Sequence, residues 1–216
     1  MRGEPIERNA MREWVEKEIA AGRYRVVERE VDARFELAAV VSRSQQESDA
    51  PVLFRRVRGS VLPVVSNVVG SRRRLCELIG AADGNFCRRW TELTTGEAAR
   101  RRIPQATAAD FASLDFEETT LSALPRITYF ERDAGPYITS GVFLAREPDT
   151  GVANLSFHRA MHVSDRELRV RLGRTHDLTK YQAKAASRGQ ALEAAILIGP
   201  APELLLAAGA PLSYDD

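Results

Sequence analysis

Asn154, Ser156 and His158 recur at a spacing of two residues within one predicted β-strand. Residues two apart in a strand project from the same face, so the three polar side chains would lie together. Short Asn, Ser and His side chains suit ligand contact, whereas a solvated strand more often carries Lys, Glu and Thr. The pattern supports a ligand-binding face and a solvated outer face about equally. The alternating apolar residues predict a core-facing side: Leu155, Phe157 and Met161.

Arg159 interrupts this pattern, because strict alternation places it on the apolar face. A buried guanidinium needs an anion or several hydrogen-bond acceptors. One interpretation is that the side chain reaches water at the end of the strand. The other is that a break in alternation between Ser156 and Arg159 turns it to the side of Asn154. There it would bind a carboxylate or phosphate through two parallel hydrogen bonds.

His176 follows a Gly-Arg-Thr turn and precedes a predicted helix. Alone, it is typical of a surface or helix-capping histidine. Together with Asn154, it would supply one nitrogen and one oxygen ligand to a divalent cation, and a carboxylate would be needed as well. His162 is assigned no role.

Hydrophobic periodicity predicts the elements that position these residues. An N-terminal α/β unit is expected, with helices at 11–21, 35–42 and 71–79 and strands at 24–31, 51–57 and 61–69. A short helix near 94–102 and a linker follow. The rest is β-rich, with strands at 137–145, 152–161, 168–172 and 192–198 and helices at 178–188 and 202–208. The residues 147–151, Glu-Pro-Asp-Thr-Gly, predict a hairpin turn between the first two of these strands.

The bulk composition excludes several function classes. The chain has 216 residues, 44% of them hydrophobic, and a formal net charge of +1. This balance predicts neither a nucleic-acid partner nor a membrane surface, and no apolar run approaches the roughly 18 residues that span a bilayer. The charged N-terminus lacks an apolar signal region, and two cysteines do not make a disulfide framework. A cytoplasmic protein is expected.

The predicted β-rich region lacks strands that would close the sheet beginning at Tyr137. Open sheet edges favour unwanted pairing unless something covers them. Either the domain is small and capped by its own helices, or another chain completes it.

Four stretches, in order, carry a resemblance to a known family: "GRYRVVEREVDARFELAAVVSR", "VLPVVSNVVGSRRRL", "DAGPYITSGVFLAREPDTGVANLSFHRAMH" and "AAILIGPAPELLLAAGAPL". The sequence resembles the N-terminal portion of UbiD family decarboxylases from Met11 to Leu212.

The resemblance implies an α+β fold, with an N-terminal α/β domain at 1–105 and an incomplete flavin-reductase-like split β-barrel at 106–216. It also implies prenylated FMN, a divalent metal, usually Mn²⁺, and often K⁺. The implied reaction is the reversible, non-oxidative decarboxylation of aromatic or α,β-unsaturated acids, in which the cofactor is the electron sink.

The resemblance also assigns roles to particular residues. Asn154 matches a metal-ligand asparagine, and His176 falls within one residue of a metal-ligand histidine. Arg159 matches a catalytic arginine that contacts the flavin and the substrate carboxylate. The family usually has Tyr at the position of His158. The residues implied to line the cofactor site are Asn154, Ser156, Phe157, His158, Arg159, Ala210 and Pro211.

Other family residues have no counterpart in these 216 residues. The metal-ligand glutamate would fall just beyond Asp216, and the acidic proton donor much farther on. The resemblance therefore implies that the isolated chain is inactive and needs a second chain carrying the missing C-terminal half, or a homo-oligomer. The alternative is a non-catalytic remnant, or a flavin-binding or interaction module. The substrate, a small carboxylic acid, is not identified further.

Overall fold

The computed structural model describes residues 10–95 and 118–210. The first range contains a three-stranded sheet in the order β1-β2-β3, with β1 and β2 parallel and β2 and β3 antiparallel. Its elements are α1 (Ala10–Ala20), β1 (Arg25–Val31), α2 (Glu36–Glu47), β2 (Val52–Val57), β3 (Val64–Ser66), α3 (Arg72–Leu78) and α4 (Phe86–Thr95).

The predicted order of elements in this range is confirmed, with two corrections. The strand predicted at 61–69 has only three paired residues, because Pro63 lacks a backbone donor and precedes β3. The helix predicted near 94–102 begins at Phe86, and positions beyond Thr95 lie outside the described residues. The expected domain boundary between 105 and 106 also lies outside them.

The core of this first part forms where Val-rich strands meet α2. Val31, Val52 and Phe54 are fully buried there, and Leu37 of α2 packs against them. Ile127, which is distant in sequence, belongs to the same cluster. The backbone next to it is bonded to this part too, since Phe35 N–H donates to the Thr128 carbonyl at 2.9 Å. The segment around Thr128 thus connects the two described ranges.

The second range forms two antiparallel sheets, each with three described strands. One has the order β4-β7-β8 and the other β6-β5-β9. The elements are β4 (Tyr137–Ile138), β5 (Val142–Arg146), β6 (Ala153–Phe157), β7 (Ala160–His162), β8 (Leu168–Val170), α5 (Asp177–Ser187), β9 (Ala194–Leu197) and α6 (Pro202–Ala207). The chain is therefore a mixed α+β protein with an N-terminal α/β part and small antiparallel sheets.

The strands predicted at 137–145 and 152–161 each divide between the two sheets. At the first division, a Cβ on Gly141 would lie 3.1 Å from Ile196 Cγ2 and 3.3 Å from Ile138 Cγ2. A side chain there would crowd both sheets, so glycine allows the chain to bend from one sheet to the other. Hydrophobic pattern alone does not show this division.

The predicted hairpin turn is confirmed and is anchored by a buried carboxylate. Glu147 Oε2 accepts hydrogen bonds from the N–H groups of Asp149 and Thr150, both at 2.6 Å. Its Oε1 accepts a hydrogen bond from Lys184 of α5. The bond from Lys184, followed by the turn amides, lowers the pKa of Glu147 against the effect of burial. The turn is thus tied to the helix that covers the sheet.

The second core lies between these sheets and α5. Phe143 and Ala145 of β5 are buried with Ala160 of β7, and Leu178 and Tyr181 of α5 complete the cluster. Burying such side chains contributes about 1.5–3 kcal/mol each. No helix of the described part is long and apolar enough to cross a membrane.

We expect Phe54→Ala to lower the free energy of unfolding by about 3–5 kcal/mol, because it removes a fully buried ring and leaves a cavity. Urea denaturation measures the change. Phe130→Ala is the matched control, since Phe130 is 71% exposed, and its effect should stay within about 0.5 kcal/mol. Equal losses in the two variants would contradict the assigned core.

Candidate functional site

The polar side chains of β6 lie on the face covered by α5. In the β5–β6 ladder Ser156 pairs with Phe143 and Asn154 pairs with Ala145. Directly paired residues project to the same side, and Phe143 and Ala145 belong to the core beneath the helix. The expected arrangement, with Leu155 and Phe157 facing the core, is therefore wrong for Phe157, which is 40% exposed. The reason is α5, which the strand pattern alone could not place.

His158 is the most buried member of the polar set, with 4% of its surface exposed. Ser156 Oγ lies 2.9 Å from His158 Nε2, within hydrogen-bonding distance. The Phe143 ring meets the imidazole edge-on, with centroids 5.3 Å apart. Burial, and then the neighbouring His176, lower the pKa of His158. Burial therefore disfavours the charged imidazole, and the contacts with Ser156 and Phe143 orient its ring.

His176 joins this cluster from the start of α5. Its ring centroid lies 5.2 Å from that of His158. It occupies the N-cap position and is exposed, as the surface interpretation predicts, although its side chain makes no capping bond. On Gly173, a Cβ would come within 3.0 Å of the His176 ring. The ring is thus held between the backbone of Gly173 and the side chain of His158.

Asn154 brings an unsatisfied acceptor to the same sheet face. Its Oδ1 is buried and has no hydrogen-bond partner among the described residues. A buried acceptor without a partner costs about 1–3 kcal/mol, and a bound cation or donor would remove that cost. The described residues contain no group of three His, Cys, Asp or Glu side chains able to hold a metal. Asn154 and His176 would thus need a further ligand from elsewhere.

Arg159 lies where the chain changes sheets. The ladder of β6 ends at Phe157 and β7 begins at Ala160. Burial keeps alternating across this gap, with His158 and Ala160 buried and Arg159 exposed. The break in alternation that would turn Arg159 to the side of Asn154 is therefore not seen, and the side chain reaches water, as the other interpretation predicts. Within the described ranges Arg159 has no hydrogen bond or ion pair, so its guanidinium is available to an anion.

The remaining predicted residues are not brought to this cluster by any described contact. Phe157 instead borders a cavity that lies between the two described ranges. Ala210 follows α6 and is half-buried, with its N–H bonded to the Ala207 carbonyl at 2.9 Å. Pro211 lies outside the described residues. Their cofactor roles remain predictions.

His162 is a buried polar residue to which sequence reasoning gave no role. Only 7% of it is exposed, and both ring nitrogens lack partners among the described residues. It lies four residues after His158, on the same alternating buried positions. Because His158 and Ala160 are buried, the spacing of two residues predicts that His162 is buried as well.

The fold and site define a mixed α+β protein with a cluster of polar side chains between a sheet and a helix, some of them without hydrogen-bond partners among the described residues. The family model of the 3-octaprenyl-4-hydroxybenzoate carboxy-lyase N-terminal domain matches residues 15–94. The model of the Rift-related domain of the same carboxy-lyase matches residues 102–216. The chain belongs to the UbiD family.

Relatives extend well beyond the matched region. An anhydromevalonate phosphate decarboxylase of Methanothermobacter thermautotrophicus is 34% identical over 190 residues, which are 88% of this chain and 43% of the relative. The UbiD-class enzyme HmfF of Pelotomaculum thermopropionicum, solved with prFMN, is 30% identical with a TM-score of 0.76, covering 93% of this chain and 46% of that one. The chain spans less than half the length of these relatives.

A more distant structure supports the fold alone. The vanillic acid decarboxylase of Sedimentibacter hydroxybenzoicus, in its closed form, is 22% identical, with a TM-score of 0.82. The match covers 96% of this chain and 46% of that one. The described arrangement is therefore shared by proteins whose sequences have diverged widely.

The buried His162 predicts a pH dependence of stability. Burial, and then the Arg126 cation, lower the pKa of His162 from its ordinary value of 6.5. Arg126 is itself paired with Asp165. The unfolded chain then binds the proton more readily, so stability is fully present above about pH 6.5 and declines as the pH falls toward the folded-state pKa.

We expect His162→Gln to flatten this decline between about pH 6.5 and 5, as measured by urea denaturation at each pH. The lowered pKa of Glu147 places its own titration below 4.5, outside this window. His158 has a lowered pKa as well and should preserve part of the slope. An undiminished slope in His162→Gln would show that His162 is not the group responsible.

Proposed function

We propose that this chain forms the cofactor- and metal-binding part of a UbiD-type reversible, non-oxidative decarboxylase of aromatic or α,β-unsaturated carboxylic acids. The observation that carries the proposal is the buried, unpartnered Oδ1 of Asn154. It lies on the same sheet face as Ser156, which contacts His158, which in turn contacts His176. Membership of the UbiD family is the reason to interpret this cluster as a metal- and cofactor-binding site.

The donor set fits a divalent cation such as Mn²⁺. Amide oxygen and neutral imidazole suit metals of intermediate hardness, and a third ligand would complete the minimum set. Asn154 and His176 would hold the metal, often with K⁺ nearby. Ser156 would hold His158, whose ring limits the movement of His176. Orientation of a ligand by such neighbours commonly changes metal affinity by about 10–100-fold.

Prenylated FMN is the proposed cofactor, because the relative from Pelotomaculum thermopropionicum was solved with prFMN. When bound, it supplies the electron sink for loss of CO₂. Its proposed seat is an incomplete split barrel formed by the two antiparallel sheets. The family resemblance assigns its lining to Ser156, Phe157, His158, Ala210 and Pro211, of which Phe157 lies on the opposite face of β6 from Ser156 and His158. The exposed guanidinium of Arg159 would bind the substrate carboxylate or the cofactor phosphate through paired hydrogen bonds.

Protonation of the product would require an acid that the described site does not contain. The cluster of Ser156, His158 and His176 contains no carboxyl group, and Arg159 is a cation. We propose that the remaining portion of the family fold, on a second polypeptide, supplies the third metal ligand and the proton donor. A non-catalytic flavin-binding module is the alternative.

We expect the purified 216-residue chain, supplied with prenylated FMN and Mn²⁺, to show no decarboxylation above the rate of cofactor and metal alone. The physical reason is the missing proton donor. The measurement is CO₂ release from cinnamic and 4-hydroxybenzoic acids, with a complete UbiD enzyme as the positive control. Turnover by the isolated chain would overturn the requirement for a second polypeptide.

Metal binding tests the site independently of activity. We expect Asn154→Ala to weaken Mn²⁺ binding by roughly 10-fold or more, as measured from the electron paramagnetic resonance of free Mn²⁺. Gly173→Ala should also weaken it, because the new Cβ would come within 3.0 Å of the His176 ring and displace it.

Gly135→Ala is the matched control for the glycine variant. A Cβ there would meet its nearest neighbour, Met161, at an ordinary 3.6 Å. Mn²⁺ affinity should therefore stay at the wild-type value. Equal affinities in the wild type, Asn154→Ala and Gly173→Ala would remove these residues from the metal site and favour the non-catalytic alternative.

A further inference from the structure

A cavity of about 900 Å³ lies between the two described ranges, away from the α5-covered face of β6. We refer to it as the interdomain cleft. Most of its lining comes from α2, from β3 and the residues around it, and from the segment 124–131. Phe157, β4 with the two residues that follow it, and the residues directly after β9 complete most of the rest, and α1 and α6 contribute one residue each. Glu131 is the one charged side chain among the described lining residues. Since 28% of the whole chain is charged, the cleft is selectively apolar.

The exposed apolar side chains gather at this cleft. Seven large hydrophobic residues of the described ranges remain exposed, and five of them border the cleft: Leu62, Val69, Phe130, Phe157 and Ile198. Contiguous exposed apolar surface of this kind marks an interaction site more often than ordinary protein surface. The residues of the cleft are therefore of the kind found in protein interfaces.

We propose that the interdomain cleft binds a polypeptide, namely the C-terminal portion of a UbiD protein, through an uncharged apolar segment of that portion. The proposal rests on the proposed function. The chain covers 43% of its relative from Methanothermobacter thermautotrophicus and 46% of that from Pelotomaculum thermopropionicum. More than half of each relative must therefore pack outside the region matched here. The cleft is the large apolar surface that the described residues offer for it.

The cleft is open at its rim, where Phe130 is 71% exposed, so an occupant could extend beyond the cavity. β9 is also an edge strand among the described strands of its sheet, and Ile198 follows it directly. A segment in the cleft could continue alongside β9 and pair with its free backbone groups.

The test uses the 216-residue chain and a probe, the part of the Methanothermobacter thermautotrophicus relative that follows the matched region. Complex formation is measured by sedimentation velocity without cofactor, metal or substrate. We expect a one-to-one complex with the wild-type chain. Ile198→Asp and Phe130→Asp should each weaken it at least tenfold, because an unpaired carboxylate would be buried in an apolar interface.

Val163→Asp is the matched control. Val163 and Ile198 are both β-branched and both 48% exposed, but only Ile198 borders the cleft. The control should bind the probe as the wild type does, and urea denaturation should show that all three variants remain folded.

The proposal would be overturned if the wild-type chain formed no complex with the probe, or if Val163→Asp weakened the complex as much as Ile198→Asp does. It would also be overturned if the wild-type chain formed a homodimer that Ile198→Asp dissociates, because the cleft would then bind a second copy of this chain. Displacement of an apolar dye by the probe should accompany binding, and dye binding that the probe leaves unchanged would count against it. Because no assay here depends on metal or flavin, failure of this inference would leave the Mn²⁺ experiments to judge the proposed function separately.

Discussion

The passage of one strand between two sheets is the constraint on which the site depends. β6 pairs with β5, and β7 pairs with β4 and β8, with only His158 and Arg159 between them. Both ladders have fixed registers, so the two connecting residues have little freedom. His158 is directed inward and Arg159 outward as a result. A strand that changes sheets turns a corner, and corners of this kind shape orthogonally packed β-structures and barrels.

The buried face of β6 and β7 at this corner carries polar side chains, whereas buried faces of sheets are usually apolar. Ser156 and His158 satisfy each other, whereas the buried oxygen of Asn154 and both nitrogens of His162 have no partner among the described residues. Unsatisfied buried groups lower stability, and natural proteins retain few of them. At the site proposed above, a bound ligand would supply the interaction that the Asn154 oxygen lacks, and would offset the loss of stability.

Much of the fold follows from local sequence, and the site follows only in part. The β5–β6 hairpin was predictable because the residues 147–151 carry turn chemistry, and α5 because apolar residues recur at helical spacing. The sharing of one face by Asn154, Ser156 and His158 follows from the strand period alone. Which face is covered was not predictable, because α5 docks through Leu178 and Tyr181 from outside the hairpin. That tertiary contact reversed the expected exposure of Phe157.

The contacts that orient the cluster are confined to residues 143–184. The ladder between β5 and β6 places Asn154 and Ser156, the bond of Glu147 to Lys184 ties the hairpin to α5, and Gly173 with His158 holds His176. None of these contacts requires residues from outside the matched region. The orientation of Ser156, His158 and His176 thus follows from contacts within this chain.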